Sequence, residues 1–288
     1  MAYDGWQFLD DRGRLAAAPR TPARITAYIQ AGAALHDHGL RPTGLFGSAH
    51  DGAEADPAKA GRLPLGGVDY LGRGPGLSAD DVLRTAPDLV VAVAYGSDQV
   101  YGLDPDTAKH LEERVPFVVL DVGQGRSFDG TRERFGALAA SLGSGEDATA
   151  AAGLTGARER LRAAAGRAPG ARVLALSPAD DDRVHLARPT AWPDLRALAD
   201  HGVRMAAPGA GPGVNWSTAD WTAAERLEPD VVLVDVRANA VPQNRLSRSD
   251  GWRVVSARSR VVPWNPELAF SARAHAEFFT AVAEALEA

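Results

Sequence analysis

Ala86-Pro87-Asp88-Leu89-Val90-Val91-Ala92-Val93 is echoed about 140 residues later by Glu228-Pro229-Asp230-Val231-Val232-Leu233-Val234-Asp235. Each copy ends an amphipathic run at Pro-Asp and then launches a short stretch rich in valine. Proline cannot continue a helix, and a compact β-branched run bounded by turn residues reads as a buried parallel strand. Two such helix-turn-strand units, far apart, predict two similar α/β lobes in one chain. Two lobes make a cleft, and clefts between lobes are where small ligands bind.

Working outward, strands are predicted at 24–29, 43–46 and 117–120 around the first phrase, with short helices following Gln30, from 80 to 85 and from 106 to 113. Strand and helix alternate, so the sheet should be mainly parallel. Residues 6–9 and 14–15 flank the turn-rich Asp10-Asp11-Arg12-Gly13 and read as an opening β-hairpin. From about 131 to 167 the chain is dominated by Ala, Arg, Glu and Leu, all good helix formers. That stretch reads as a long helix, whole or in two pieces, that carries the chain between lobes. Strands then return at 173–176, 184–186, 231–234 and 260–262, with helices at 192–201, 218–227 and 271–288. The expected organisation is an N-terminal α/β lobe at 1–130, a linking helix at 131–168 and a C-terminal α/β lobe at 169–288. Each lobe is expected to be Rossmann-like.

Composition narrows the class. The 288 residues suffice for one large or two medium domains. A hydrophobic fraction of 45% and a charged fraction of 24% are ordinary for a soluble globular protein. The net charge of -6 argues against nucleic acid or an anionic membrane as the main partner. The basic residues are nearly all arginine, Lys59 and Lys109 being the lysines, so a cation in a pocket is expected to be a planar, bidentate guanidinium. The absence of cysteine excludes disulfides, thiolate metal sites, thiol nucleophiles and an acylated cysteine within these residues. No apolar run approaches the roughly 20 residues needed to cross a bilayer. No secretory segment precedes Trp6. The expected location is cytoplasmic if the chain is whole as given, and membrane-anchored and extracellular if an export segment has been trimmed.

Two α/β lobes bridged by a long helix, together with several short motifs in a fixed order, resemble the helix-linked class (class III) of substrate-binding proteins of ABC importers. The likeness is strongest to actinobacterial binders of ferric siderophores and covers nearly the whole chain. Trp6-Gln7-Phe8-Leu9-Asp10-Asp11-Arg12-Gly13 looks like the opening hairpin of that family, and Pro22-Ala23-Arg24-Ile25 like the lead into its first strand. Val262-Pro263-Trp264-Asn265-Pro266-Glu267 with Phe270-Ser271 resembles its closing segment. The resemblance implies a rigid two-lobed receptor for a bulky small molecule, with small closure motion. It does not name the ligand, because one fold hosts many functions.

In open α/β sheets, ligands sit beyond the carboxyl ends of strands. That rule selects Gln30, Tyr95, Trp192, Trp216, Trp264 and Phe270, together with Arg126, Arg188 and Arg237. The aromatic residues offer flat, rigid contact area, the alternative being ordinary packing at helix starts. The guanidinium groups suit carboxylate, hydroxamate or catecholate oxygens of a ferric chelate, the alternative being rim salt bridges. Arg237 is the preferred contact, although Asp235 is placed to pair with it. His50 lies near Asp51, Glu54 and Asp56, with His185 as the one partner in the second lobe, whereas His36 and His38 face different sides of a helix. Asp180-Asp181-Asp182 reads as a solvated turn. No protein metal site and no cofactor are expected, iron entering only as part of a chelate. No P-loop, nucleophile elbow or His-Glu-x-x-His motif is present.

The resemblance also implies docking onto a permease through one acidic residue on the helix before each Pro-Asp junction. Asp80 occupies that place in the first lobe, and the neutral Thr222 occupies it in the second. Two functions therefore stand side by side. One is a monomeric substrate-binding protein that captures a ferric siderophore or similar chelate between its lobes for import. The other is a non-exported enzyme or carrier on the same scaffold, acting on a bulky natural-product intermediate, for example by cyclisation, with Tyr95, Asp235 or Arg237 as candidates.

Overall fold

The two Pro-Asp phrases are one construction used twice. In the computed structural model, which describes residues 5–74, 76–145 and 147–288, each phrase joins a short helix to a buried strand. Ala86 (φ 46°) and Glu228 (φ 45°) are, among the described residues, the non-glycine positions with positive φ. A left-handed residue followed by proline turns the chain out of the helix in a single step. The aspartate then clamps a distant arginine. The Asp88 amide donates to the Arg24 carbonyl at 2.7 Å, and its carboxylate accepts from the Arg24 amide at 3.1 Å. The Asp230 amide donates to the Arg172 carbonyl at 2.9 Å, and its carboxylate accepts from the Arg172 amide at 2.7 Å. Each arginine opens the central strand of its sheet.

The chain divides into two compact units, Met1–Ala148 with Glu267–Ala274, and Thr149–Pro266 with His275–Ala288. The helical stretch between the sheets is in two pieces, one of the two forms the sequence allowed, and residues 267–274 join the first unit.

In unit 1, β1 (Trp6–Leu9) and β2 (Leu15–Ala18) form the antiparallel hairpin read from the sequence, Leu9 opposite Leu15. A five-stranded parallel sheet follows, built from β3 (Ile25–Tyr28), β4 (Gly44–Gly47), β5 (Asp69–Arg73), β6 (Leu89–Ala94) and β7 (Phe117–Asp121). Its order is β5-β4-β3-β6-β7, so the winding reverses between β3 and β6. The helices are α1 (Ile29–Asp37), α2 (Pro57–Ala60), α3 (Ala79–Leu83), α4 (Pro105–Glu112) and α5 (Phe128–Ser141). Every residue of β6 is buried, as its unbroken apolar run requires. Helix α2 lies within the glycine- and aspartate-rich stretch 47–67, and β5 follows just beyond it; neither was expected from the sequence.

Unit 2 begins with α6 (Ala148–Arg167), whose first residue still belongs to unit 1. Its sheet contains β8 (Arg172–Pro178), β9 (Arg183–Ala187), β10 (Arg204–Met205), β11 (Trp216–Asp220), β12 (Val231–Asp235) and β13 (Arg260–Trp264). The order is β11-β9-β8-β12-β13, with β10 beside the start of β8. Strands β8, β10, β12 and β13 pair in parallel, while β9 and β11 are antiparallel. Pro263 sits on the edge strand β13, where a missing N–H is tolerated. The helices are α7 (Pro193–Asp200), α8 (Trp221–Arg226), α9 (Gln243–Leu246), α10 (Asp250–Arg258) and α11 (Ala272–Glu287), the last with its first three residues in unit 1. On one face of the sheet Leu174, Leu176, Val232 and Val234 pack with Trp221 and Trp252, whose rings meet edge to face at 5.8 Å. Residues 218–220, expected to start a helix, instead finish β11, and Asp220 caps α8 by accepting from the Ala223 amide at 3.0 Å. Among the described residues no helix is long and apolar enough to cross a membrane.

Candidate functional site

The carboxyl ends of the strands carry a distinct face in each unit. In unit 1 the face lies where the winding reverses, the position at which open α/β sheets bind ligands. Tyr28 ends β3, and Tyr95 follows β6. Tyr101 packs edge to face against both, with ring centroids 4.8 Å from Tyr95 and 5.5 Å from Tyr28. A pocket of about 260 Å³ opens beside them, lined by residues 48–50 and 101–105. That is smaller than the roughly 300–1,000 Å³ typical of a complete small-molecule site, so it suits part of a larger ligand.

Beneath this pocket lies a buried ionic network that sequence reasoning missed. The Lys59 ammonium pairs with Asp51 at 2.7 Å and with Glu267 at 2.8 Å, and all three side chains are buried. The Tyr28 hydroxyl donates to the other oxygen of Glu267. The second Asp51 oxygen accepts from the Ser48 amide at 2.6 Å and the Ser48 hydroxyl at 3.0 Å. The network thus fixes the loop that lines the pocket. Burial lowers the affinity of Lys59 for its proton, but Glu267 and Asp51 outweigh burial and raise it. Burial and then the Glu267 charge hold the Tyr28 hydroxyl well above the usual phenol range. Burial, with Asp51 and Asp56, pushes Tyr70 up to about 12. The available signal was Lys59 itself, one of two lysines in a chain whose other side-chain cations are nearly all arginine. A compact ammonium fits a point between two carboxylates where a planar fork does not.

A second pocket in unit 1, about 180 Å³, sits beyond β6 and β7 and is lined in part by Asp11, Asp98 and Asp121. The two strand-end loops touch through backbone, since a Cβ on Gly123 would lie 2.4 Å from the Gly96 nitrogen. Arg126 faces Asp11 and Asp121, each at 3.6 Å.

In unit 2 three indoles form one cluster. Trp192, Trp216 and Trp264 have ring centroids 5.0 to 5.8 Å apart. Trp264 is buried and donates from its indole N–H to Asp194 at 2.6 Å. Trp192 is also buried and donates to the Asn215 carbonyl at 3.2 Å. Trp216 is half-buried and carries the open face of the cluster, with the His185 ring 6.3 Å away. Burial, and then the nearby Arg183 charge, lower the His185 pKa below its ordinary value and favour the neutral ring.

The nine residues picked from the sequence therefore divide. Tyr95 and Trp216 are partly open at strand ends. Trp192 and Trp264 support Trp216 from within the fold. Gln30 and Phe270, expected at a ligand, are instead buried in unit 1. Gln30 donates to the Leu268 carbonyl at 3.1 Å, and Phe270 stacks on Phe135 at 6.2 Å. They hold residues 267–274 in place. The three arginines are all engaged by the protein. Arg237 forms a two-pronged pair with Asp235, and Arg188 donates to the carbonyls of Gly209, Gly211, Pro212 and Gly213. His50 borders the larger pocket, but among the described residues no three metal-ligating side chains are grouped to hold an ion. Asp80 and Thr222 are exposed and each is the second residue of its helix, α3 and α8.

No protein-family model matches the sequence, and no curated protein matches it either. The likeness is carried by three-dimensional structure. DesE, a ferric-siderophore receptor protein from Streptomyces coelicolor, superposes with a TM-score of 0.87 at 27% identity, covering 98% of both chains. The chain is similar to the helix-linked substrate-binding proteins along nearly its whole length. More distant neighbours share the fold alone. The periplasmic haem-binding protein RhuT of Roseiflexus sp. RS-1 gives a TM-score of 0.67 at 18% identity, over 92% of this chain and 97% of its own. The siderophore-binding protein FhuD of Vibrio cholerae, solved with ferric Desferal, gives 0.64 at 17%, over 92% and 98%. These neighbours are binding proteins, and the reading as a biosynthetic enzyme gains no support from them.

Proposed function

We propose that this substrate-binding protein captures a bulky ferric chelate of the siderophore type and hands it on unchanged to an ABC importer. The observation that carries the reading is the near-complete superposition on a ferric-siderophore receptor, over 98% of both chains. The strand-end faces support it. They offer aromatic surface in Tyr95, Tyr101 and Trp216 and a small pocket. In this proposal iron enters as part of the chelate. Asp80 on α3 is the proposed docking acid for the permease. Thr222, at the same position of α8, supplies no second charge, which predicts a weaker grip there.

Titration of tryptophan fluorescence with ferric hydroxamates, ferric catecholates and haem tests the reading. Submicromolar quenching by one ferric chelate, recovered chemically intact, is the expected result. Silence across the ferric chelates, or recovery of an altered product, would end it.

A further inference from the structure

In unit 2 the loop between β10 and β11 owes its shape to a side chain from elsewhere. It reads Ala207-Pro208-Gly209-Ala210-Gly211-Pro212-Gly213-Val214, and glycine has the most backbone freedom to lose on ordering. Among the described residues, no backbone–backbone hydrogen bond begins or ends in that stretch. Arg188, directly after β9, supplies the bonds instead. Its Nε donates to the Gly213 carbonyl at 2.9 Å and its Nη1 to Gly209 at 3.0 Å. Its Nη2 donates to Gly211 at 3.2 Å and to Pro212 at 3.3 Å. The Arg188 amide donates to the Asn215 carbonyl at 2.9 Å, which also accepts from the Trp192 indole. The loop leaves this grip at Gly213, whose φ is 87° and where a Cβ would lie 2.3 Å from the Trp216 carbonyl oxygen. Trp216 then opens β11, opposite Ala187, the residue before Arg188. One guanidinium therefore closes the loop at the foot of the open indole. A planar fork of five N–H donors can span several carbonyls in this way, and a compact ammonium cannot.

We propose that Arg188 is a positioning residue for ligand capture: it latches the 207–214 loop and so presents Trp216 already oriented. The latch is a property of unit 2 by itself, while the part given to Trp216 in capture rests on the proposed ferric-chelate function. Orientation in advance matters because ordering a loop at the moment of binding subtracts from affinity.

Near-ultraviolet circular dichroism of the indole cluster reads the orientation without any ligand, with Trp216→Phe marking the share owed to Trp216. In an Arg188→Gln variant whose far-ultraviolet spectrum shows it folded, most of that share is expected to disappear, and Arg188→Lys is expected to restore little of it. A share retained in Arg188→Gln overturns the proposal. If neither variant folds, the unaltered protein decides. Its amide order parameters at residues 209–211 and 213 are expected near about 0.85, as in rigid backbone, and values below about 0.6 overturn the latch. Calorimetric titration with ferric desferrioxamine B and a ferric tricatecholate adds the functional arm. For a probe that binds, Arg188→Gln is expected to weaken affinity about tenfold, and by less than about twofold once Trp216→Ala is present. No loss in the first background overturns the positioning role. An equal loss in both overturns it too, because Arg188 then acts without Trp216. Binding of neither probe ends the ferric-chelate reading, and the dichroism still decides the latch.

Discussion

Lys59 shows how a single residue can fix a site it never touches. Removing one partner from a buried ion pair costs about 3–5 kcal/mol, because the remaining charges lose their compensation. Lys59→Met is therefore expected to lower unfolding free energy by that amount, measured by denaturant titration, with Asp51 and Glu267 left facing each other. A loss under about 1 kcal/mol would contradict the assignment. Asp194 makes a prediction about pH. Burial pushes its carboxyl up to about 6, against hydrogen bonds from Trp264 and the Leu195 amide that favour the charged form. The folded protein thus binds the proton more tightly than the unfolded chain. Its contribution is fully present below about pH 4 and lost as pH rises through about 6, a change of about 3 kcal/mol. Asp194→Asn keeps an acceptor for the Trp264 indole and should flatten that slope in thermal melts taken across the range. At this scale the sequence located aromatic and basic residues after strands and offered Asp235 as a partner for Arg237, but left that pair beside a ligand contact as alternatives. Side-chain geometry shows the fork with Asp235.

At the scale of elements, the repeated junction is the clearest case of sequence dictating structure. Pro-Asp before a β-branched run placed both strands, and β6 spans the apolar residues that predicted it. Edge elements were not legible. β5 (Asp69–Arg73) and β11 (Trp216–Asp220) are only half-buried, so neither shows the apolar run that betrays a central strand. Nor was the left-handed residue visible, since nothing in alanine or glutamate marks it. Ala86 is exposed with φ 46°, so size is not at issue there. Ala86→Val should cost about 1–2 kcal/mol through backbone strain alone, while Ala86→Gly should not destabilise. Chemical denaturation of the two variants distinguishes them, and equal stabilities would contradict the strained turn. Trp216 tests the indole cluster in the same way. Trp216→Ala is expected to weaken ferric-chelate affinity at least about tenfold, because large aromatic contacts dominate binding energy. An unchanged dissociation constant would remove that face from the site.

For the whole molecule, the sequence revealed two α/β units and the family resemblance, because both rest on local pattern repeated along the chain. It did not reveal that Glu267–Ala274 belongs with the first unit. That membership depends on contacts such as Tyr28 with Glu267 and Gln30 with Leu268, between residues more than 200 positions apart. No periodicity records such pairs. The same distance explains why the sequence placed Gln30 and Phe270 at a ligand without showing that both are buried against other parts of unit 1. Function follows the same division. The scaffold of a binding protein was legible, while geometry was needed to choose between the ligand and salt-bridge readings of its arginines.

Capture without chemistry is the claim on which the functional account stands. Calorimetric titration with the ferric and the metal-free forms of one trihydroxamate, followed by recovery of the ligand, tests it most directly. The account predicts one submicromolar site for the ferric form, binding at least about a hundredfold weaker for the metal-free form, and a ligand recovered unchanged. Equal affinity for the two forms, no binding of either, or a chemically altered ligand would contradict it.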